Sequence, residues 1–307
     1  MKPSLLAAVL IAVALGGILG ATGRARAEIS PMDTEGPAWR RLEYEAGKLG
    51  FRIEASVELS SISDAELERA LIAAGDADAL EADDRGGLLL EIDSTGLGRR
   101  SLVEFWFRPD GTALQRLQIE TGDKSKHNRF KINRFAADGV FSLIRRPAGE
   151  ETSRPHEDWS ERSEDYETFP AFALAHGPIS EPSALFYLAS VAPLNAPSDT
   201  VSVPVLSKGR VVLVTLSVLG PATIKVRYGE DSGAGLRQVV GRREVLAIGL
   251  ESRPLGPEAG DGAFRFMGLG GDIVLYVDPV RRIPVQLSGS VKYAGRSHLK
   301  LRRVVLE

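Results

Sequence analysis

The chain has 307 residues, 43% hydrophobic and 26% charged, with 38 Lys and Arg against 41 Asp and Glu for a formal charge of −3. This balance supplies enough apolar material for a core, excludes disordered and collagen-like classes, and speaks against a nucleic-acid partner, which needs a clustered basic face. The absence of cysteine excludes disulfides, thiolate catalysis, cysteine zinc sites and a lipid-modified cysteine anchor.

In chain order, Lys2 precedes an apolar run from Leu5 to Leu19, and the small residues Ala25 and Ala27 place a signal-peptidase cut between Ala27 and Glu28. The run is shorter than the roughly 20 residues needed to cross a hydrocarbon core. Residues 1–27 therefore read as a signal peptide, and their removal takes away Lys2, Arg24 and Arg26 but no acid, moving the formal charge from −3 to −6. The expected product is periplasmic, not lipid-anchored, and without a transmembrane segment after cleavage.

The rest, 28–307, reads as one β-rich domain in two halves, 28–146 and 182–307, joined by an acidic loop segment, 147–181. Period-two alternation, the mark of half-buried strands, predicts strands over Arg40–Tyr44, Phe51–Leu59, Leu88–Asp93, Leu102–Phe107, Leu114–Glu120 and Val140–Ile144. Ser63 and Glu66, three apart as in a capping box, predict a short connector helix over 64–74. The acidic segment carries Glu150, Glu151, Glu157, Asp158, Glu161, Glu164, Asp165 and Glu167 with Trp159, Tyr166, Phe169 and Phe172, and shows no period. Such a long loop reads as a lid, a strap or a solvated insertion pinned by its aromatics.

Pro182 opens a second helix ending before Pro193, with Leu185, Leu188, Ala189 and Ala192 on the stripe expected to face the sheet. Later strands are predicted over Val201–Leu206, Val211–Val218, Ala222–Tyr228, Val239–Leu250, Ile273–Val277, Ile283–Val291 and His298–Val305. In the Ile283–Val291 strand, Val285 and Leu287 belong to an oily face, and Gln286 and Ser288 to a wet one. Pro204 places its strand at an edge or a bulge. Turns are expected at Asp110-Gly111, Asp138-Gly139, Gly220-Pro221 and Gly268 to Gly271. The fold class is mainly β: a curved antiparallel sheet or open half barrel with one packing helix and a short connector helix.

Catalytic and metal patterns are missing from this sequence. His127, His156, His176 and His298 lack the spacing that puts two ligands on one helix face. The acidic run Asp76, Asp78, Glu81, Asp83, Asp84 fails as a calcium loop, since Leu80 and Glu81 stand at a ligand and at the turn glycine. Ser297 and Lys300 match S-x-x-K, but on a strand positions three apart face opposite ways. The expectation is a protein that is not an enzyme and uses neither cofactor nor metal.

One resemblance carries the functional expectation. Pro182-Ser183-Ala184-Leu185-Phe186-Tyr187-Leu188, Val201 to Val205, Ile224-Lys225-Val226-Arg227-Tyr228-Gly229, and Ile273 to Pro284 with Asp278, Arg282 and Pro284 together resemble the exported bacterial family called domain of unknown function 3108. The opening through Leu42, Tyr44, Gly47 and Gly50 is similar to it, while the helix at 64–74 and the acidic segment look like insertions. The resemblance implies a strongly curved sheet, similar in outline to envelope lipid and lipoprotein carriers. A concave apolar face must be filled by side chains, a helix or a ligand. The residues expected to line it are Phe105, Phe107, Leu185, Phe186, Val226, Tyr228, Val285 and Leu287, with Phe186 nearer the ligand and Leu188 on the core side. The expected occupant is a lipid or lipoprotein; the alternative is an interaction protein that engages an envelope protein partner through the acidic segment and exposed strand edges.

Overall fold

The computed structural model describes residues 36–48, 51–96, 98–123, 127–256, 264–291 and 295–307, so the signal segment and the Ala27–Glu28 cut lie outside the described residues. The strands are β1 (Trp39–Lys48), β2 (Phe51–Ile62), β3 (Gly87–Gly96), β4 (Arg99–Phe107), β5 (Ala113–Gly122), β6 (Arg129–Phe135), β7 (Gly139–Arg146) and β8 (Glu161–Thr168), then β9 (Thr200–Ser207), β10 (Arg210–Asp231), β11 (Leu236–Pro254), β12 (Gly270–Val277), β13 (Pro284–Val291) and β14 (Gly295–Leu306). The helices are α1 (Asp64–Ala70), α2 (Ala171–Leu174) and α3 (Ala184–Val191). All fourteen strands form one curved, open sheet in the order β8-β7-β6-β5-β4-β3-β2-β1-β14-β13-β12-β11-β10-β9. Nearly every neighbour is an antiparallel hairpin partner, and the β1–β14 ladder, which pairs Leu42 with Val304, joins the first half of the chain to the last.

The two edge strands approach each other. Glu167 of β8 reaches the turn between β9 and β10, its Oε2 3.8 Å from where a side chain at Gly209 would begin. Residues 169–183 run across this gap: Phe169 packs on Phe135, Ala113 N–H donates to Ile179 C=O (3.1 Å), and Ser180 exchanges hydrogen bonds with Pro204 C=O (2.8 Å) and Leu206 N–H (2.9 Å). Pro204 thus lies in an edge strand whose outer side is covered by a single bridging residue.

Inside the curve sits α3. It was expected to show the sheet one stripe, yet every residue from Ala184 to Val191 is buried, because its sequence is apolar all round and such a helix belongs in a core. Its ends are held by polar groups from elsewhere. Glu181 accepts from Ser183 N–H (2.7 Å), Trp39 Nε1–H donates to Ser190 Oγ (2.9 Å), and Tyr187 O–H donates to Pro109 C=O (3.0 Å). The Asp278 to Pro284 stretch is the C-terminal clamp. Asp278 Oδ1 accepts from Val280 and Arg281 N–H (3.0 and 2.8 Å), and the turn so formed delivers the Arg282 guanidinium to the carbonyls of Leu194 and Ala192 (2.6 and 2.9 Å).

Four local expectations are corrected. Gly220-Pro221 is not a turn: β10 runs through it, with a register shift between Val218 and Gly220, so the pair marks a β-bulge. The acidic segment is not without regular structure. It contains β8, whose almost wholly exposed side chains give it no apolar alternation to detect. The wet face of β13 is buried at Gln286 and Ser288, though Ser290 is exposed, since Ser288 accepts from Arg296 Nε–H (3.2 Å) and Gln286 meets His298 at 3.4 Å. The connector helix α1 stops at Ala70 rather than Ala74; its Leu67 packs with Trp106 and Leu114 on the convex side.

Candidate functional site

The curved sheet leaves an open concave cavity of about 1590 Å³ beside the N-terminal end of α3. Strand register shows how one wall is built. Each strand from β2 to β6 enters the core at one end, with Val57, Leu90, Phe105 and Phe135 buried, and reaches the cavity at the other, with Ile53, Ile92, Val103, Gln118 and Lys131. Read across the strands, Lys131 pairs with Gln118, Gln118 with Val103, Val103 with Ile92 and Ile92 with Val57. Since directly paired residues share a face, this row changes from charged to polar to apolar along the concave surface.

The cationic end is only partly neutralised. Arg116 Nε lies 2.8 Å from Glu181 Oε1, although its N–H is not aligned on that oxygen, so charge rather than a linear hydrogen bond holds the pair. Arg116 Nη1–H donates to Gln118 Oε1 (2.9 Å), Gln118 donates to Glu120 (3.0 Å), and Glu120 pairs with Arg129 at 2.9 Å. Lys131, between Arg116 and Arg129, makes no hydrogen bond or ion pair among the described residues. Burial pulls its ammonium below the ordinary lysine range, Arg116 and Arg129 push the same way, and Glu167 opposes them less strongly. Over the whole described lining, ten Lys and Arg face three Glu. The cavity is therefore basic in a chain whose acids outnumber its bases.

The residues expected to line the concave face fall into three places. Val226 and Val285 are in the cavity wall. Phe105, Phe107, Leu185, Phe186 and Leu287 are fully buried: Phe105 and Phe107 stack at 4.8 Å, Tyr187 meets Phe107 edge-on at 5.2 Å, and Phe186 packs between Tyr44 and Phe266. Phe266 itself lines the cavity, so Phe186, expected nearer the ligand, stands one ring behind the wall and is as buried as Leu188. Tyr228 belongs to a separate recess of about 130 Å³ with Glu230, Asp278 and Arg281, where burial, then Asp278 and Glu230, raise its phenol.

Arg116, Gln118 and Lys131 escaped the sequence reading because alternation assigns polar positions to solvent, whereas here they face a wet cavity. A signal existed in β6, where Phe130 and Ile132 alternate with Lys131 and Asn133. Among the described residues no group of three or more His, Asp or Glu is placed to hold a metal, and no helix is long and apolar enough to cross a membrane. In the acidic run, Asp83 pairs with Arg85 at 2.6 Å, and a side-chain hydrogen bond from Arg85 holds its carboxyl below the usual range. His156 stacks on Phe130 at 4.4 Å; Ser297 and Lys300 both lie on β14. No family model, curated protein or solved structure matches the chain.

Proposed function

We propose that this protein is an exported, non-enzymatic binding protein of the bacterial envelope that holds an apolar or amphipathic molecule, a lipid or the lipid of a lipoprotein, in its concave face. The observation that carries this reading is the cavity of about 1590 Å³, larger than the roughly 300–1,000 Å³ of common small-molecule pockets, with Ile53, Ile92, Val103 and Phe266 in its wall. A core that needed no occupant has its concave face filled by side chains. Here α3 fills one end only. The signal-like segment at 1–27 and the resemblance to the domain of unknown function 3108 family support the periplasmic address. The rival reading, docking of a protein partner through the acidic segment, calls for an exposed aromatic patch around Trp159; that side chain is 4% exposed and packs beside Phe130, Ile132 and Leu143.

Native mass spectrometry of protein purified from its own envelope tests the proposal. A lipid-sized adduct released by organic extraction is the expected result. Bare protein that also takes up no fluorescent fatty-acid or phospholipid probe overturns it.

A further inference from the structure

The row Lys131–Gln118–Val103–Ile92 does more than line a cavity. Its spacing of about 4.8 Å per strand sets Lys131 roughly 14 Å from Ile92 across the concave surface, with an unpaired cation at one end and apolar side chains at the other. Arg116 and Arg129 are each committed to a carboxylate, Glu181 and Glu120. Lys131 is the surplus charge of this cluster. Among the described residues no carboxylate stands within ion-pair distance of this partly buried ammonium, and Glu167 offsets Arg116 and Arg129 only in part; such a charge is costly in the empty protein, and the open side of the cavity is where a counter-ion can enter.

Resting on the binding function proposed above, we infer that the ligand is an anionic amphiphile: one oxyanion head, carboxylate or phosphate, meets Lys131 on β6, and its hydrocarbon tail lies along Val103 and Ile92 toward β2. Arg116 stays with Glu181 at the entry to α3, and Gln118 joins the polar and apolar parts of the row. A head without a tail gains nothing from the apolar end. A tail without a charge leaves Lys131 uncompensated.

Calorimetric titration of the full chain with dodecanoate, a lysophosphatidate, an uncharged monoacylglycerol of the same chain length, and inorganic phosphate separates these terms. Both anionic amphiphiles should bind about tenfold or more tightly than the neutral one, as a charge-assisted hydrogen bond implies, and phosphate alone should give no saturable binding. Lys131→Met should bring the anionic ligands down to the neutral ligand's affinity without lowering the melting temperature, while Lys131→Arg keeps the preference. Equal affinity for charged and uncharged amphiphiles, a preference that survives Lys131→Met, or saturable binding of phosphate alone overturns the inference but leaves the binding function standing. Failure of all three amphiphiles to bind removes the binding function itself.

Discussion

Arg282 occupies the left-handed region at φ 58°, a conformation that costs a non-glycine residue about 1–2 kcal/mol, and it does so while placing its guanidinium on the carbonyls at the end of α3. The helix needs this, because the last four carbonyls of any helix lack partners within it, and here they are buried. Arg282→Ala keeps the strain and loses the clamp, so it should destabilise the protein by about 2–3 kcal/mol. Arg282→Gly loses the clamp but relieves the strain and should cost about 1 kcal/mol less. Urea denaturation of the two variants checks the difference; equal losses mean that the backbone is unstrained. Glu104 is a second residue with a readable cost. It lies opposite Glu91 across β3 and β4, and burial, then Glu91, raise its carboxyl above the ordinary range. The folded state therefore binds more protons than the unfolded one just above pH ~4.3, and stability falls as pH rises through that window. Glu104→Gln should gain about 0.5 kcal/mol at pH 7, and the gain should vanish below pH ~4. Melts at the two pH values test both halves of this statement.

At the scale of elements, the bulge in β10 determines where the long hairpin bends. Leu219 is the residue left unpaired, and Gly220, at φ 128°, resumes the ladder opposite Ala247, with Pro221 opposite Leu246. An added Cβ at Gly220 would meet nothing within 4 Å, so Gly220→Ala carries a backbone cost alone, about 1–3 kcal/mol. Leu219→Ala, at a side chain 61% exposed, should be nearly neutral, and a comparison of their unfolding midpoints isolates the backbone effect. Elements also differ in how legible they were. β2 declared itself by alternation, with Ala55, Val57 and Leu59 buried and Ser56, Glu58 and Ser60 not, and β12 as the short apolar run Ile273 to Val277. β8 did not, since both its faces are exposed. α3 was visible as a helix between Pro182 and Pro193, but burial on every side removed the stripe that would have told its packing direction.

For the whole molecule, the β1–β14 ladder makes the two halves of the sequence parts of one sheet. The link between them is expendable in one place: residues 149–153 form a short 3-10 turn with no buried residue. A proteolytic nick there should leave fragments that elute together on size exclusion and melt in one transition, because the ladder and α3 still hold them. Separate elution, or two transitions, would show that the halves are independent.

The sequence by itself determined the β class, the two main helices, the restriction of Pro204 to an edge strand or a bulge, and most strand segments, because alternation, capping and proline geometry act within a few residues. Only the tertiary structure decided which polar residues face solvent and which face the cavity, that Phe186 stands behind Phe266 rather than at the wall, and that Arg282 reaches α3 some 90 residues away in sequence. Those facts depend on cross-strand register and on the curvature of the sheet, which bring together residues distant in the chain; a lysine on a wet concave face and a lysine on an outer surface leave the same mark in a local pattern.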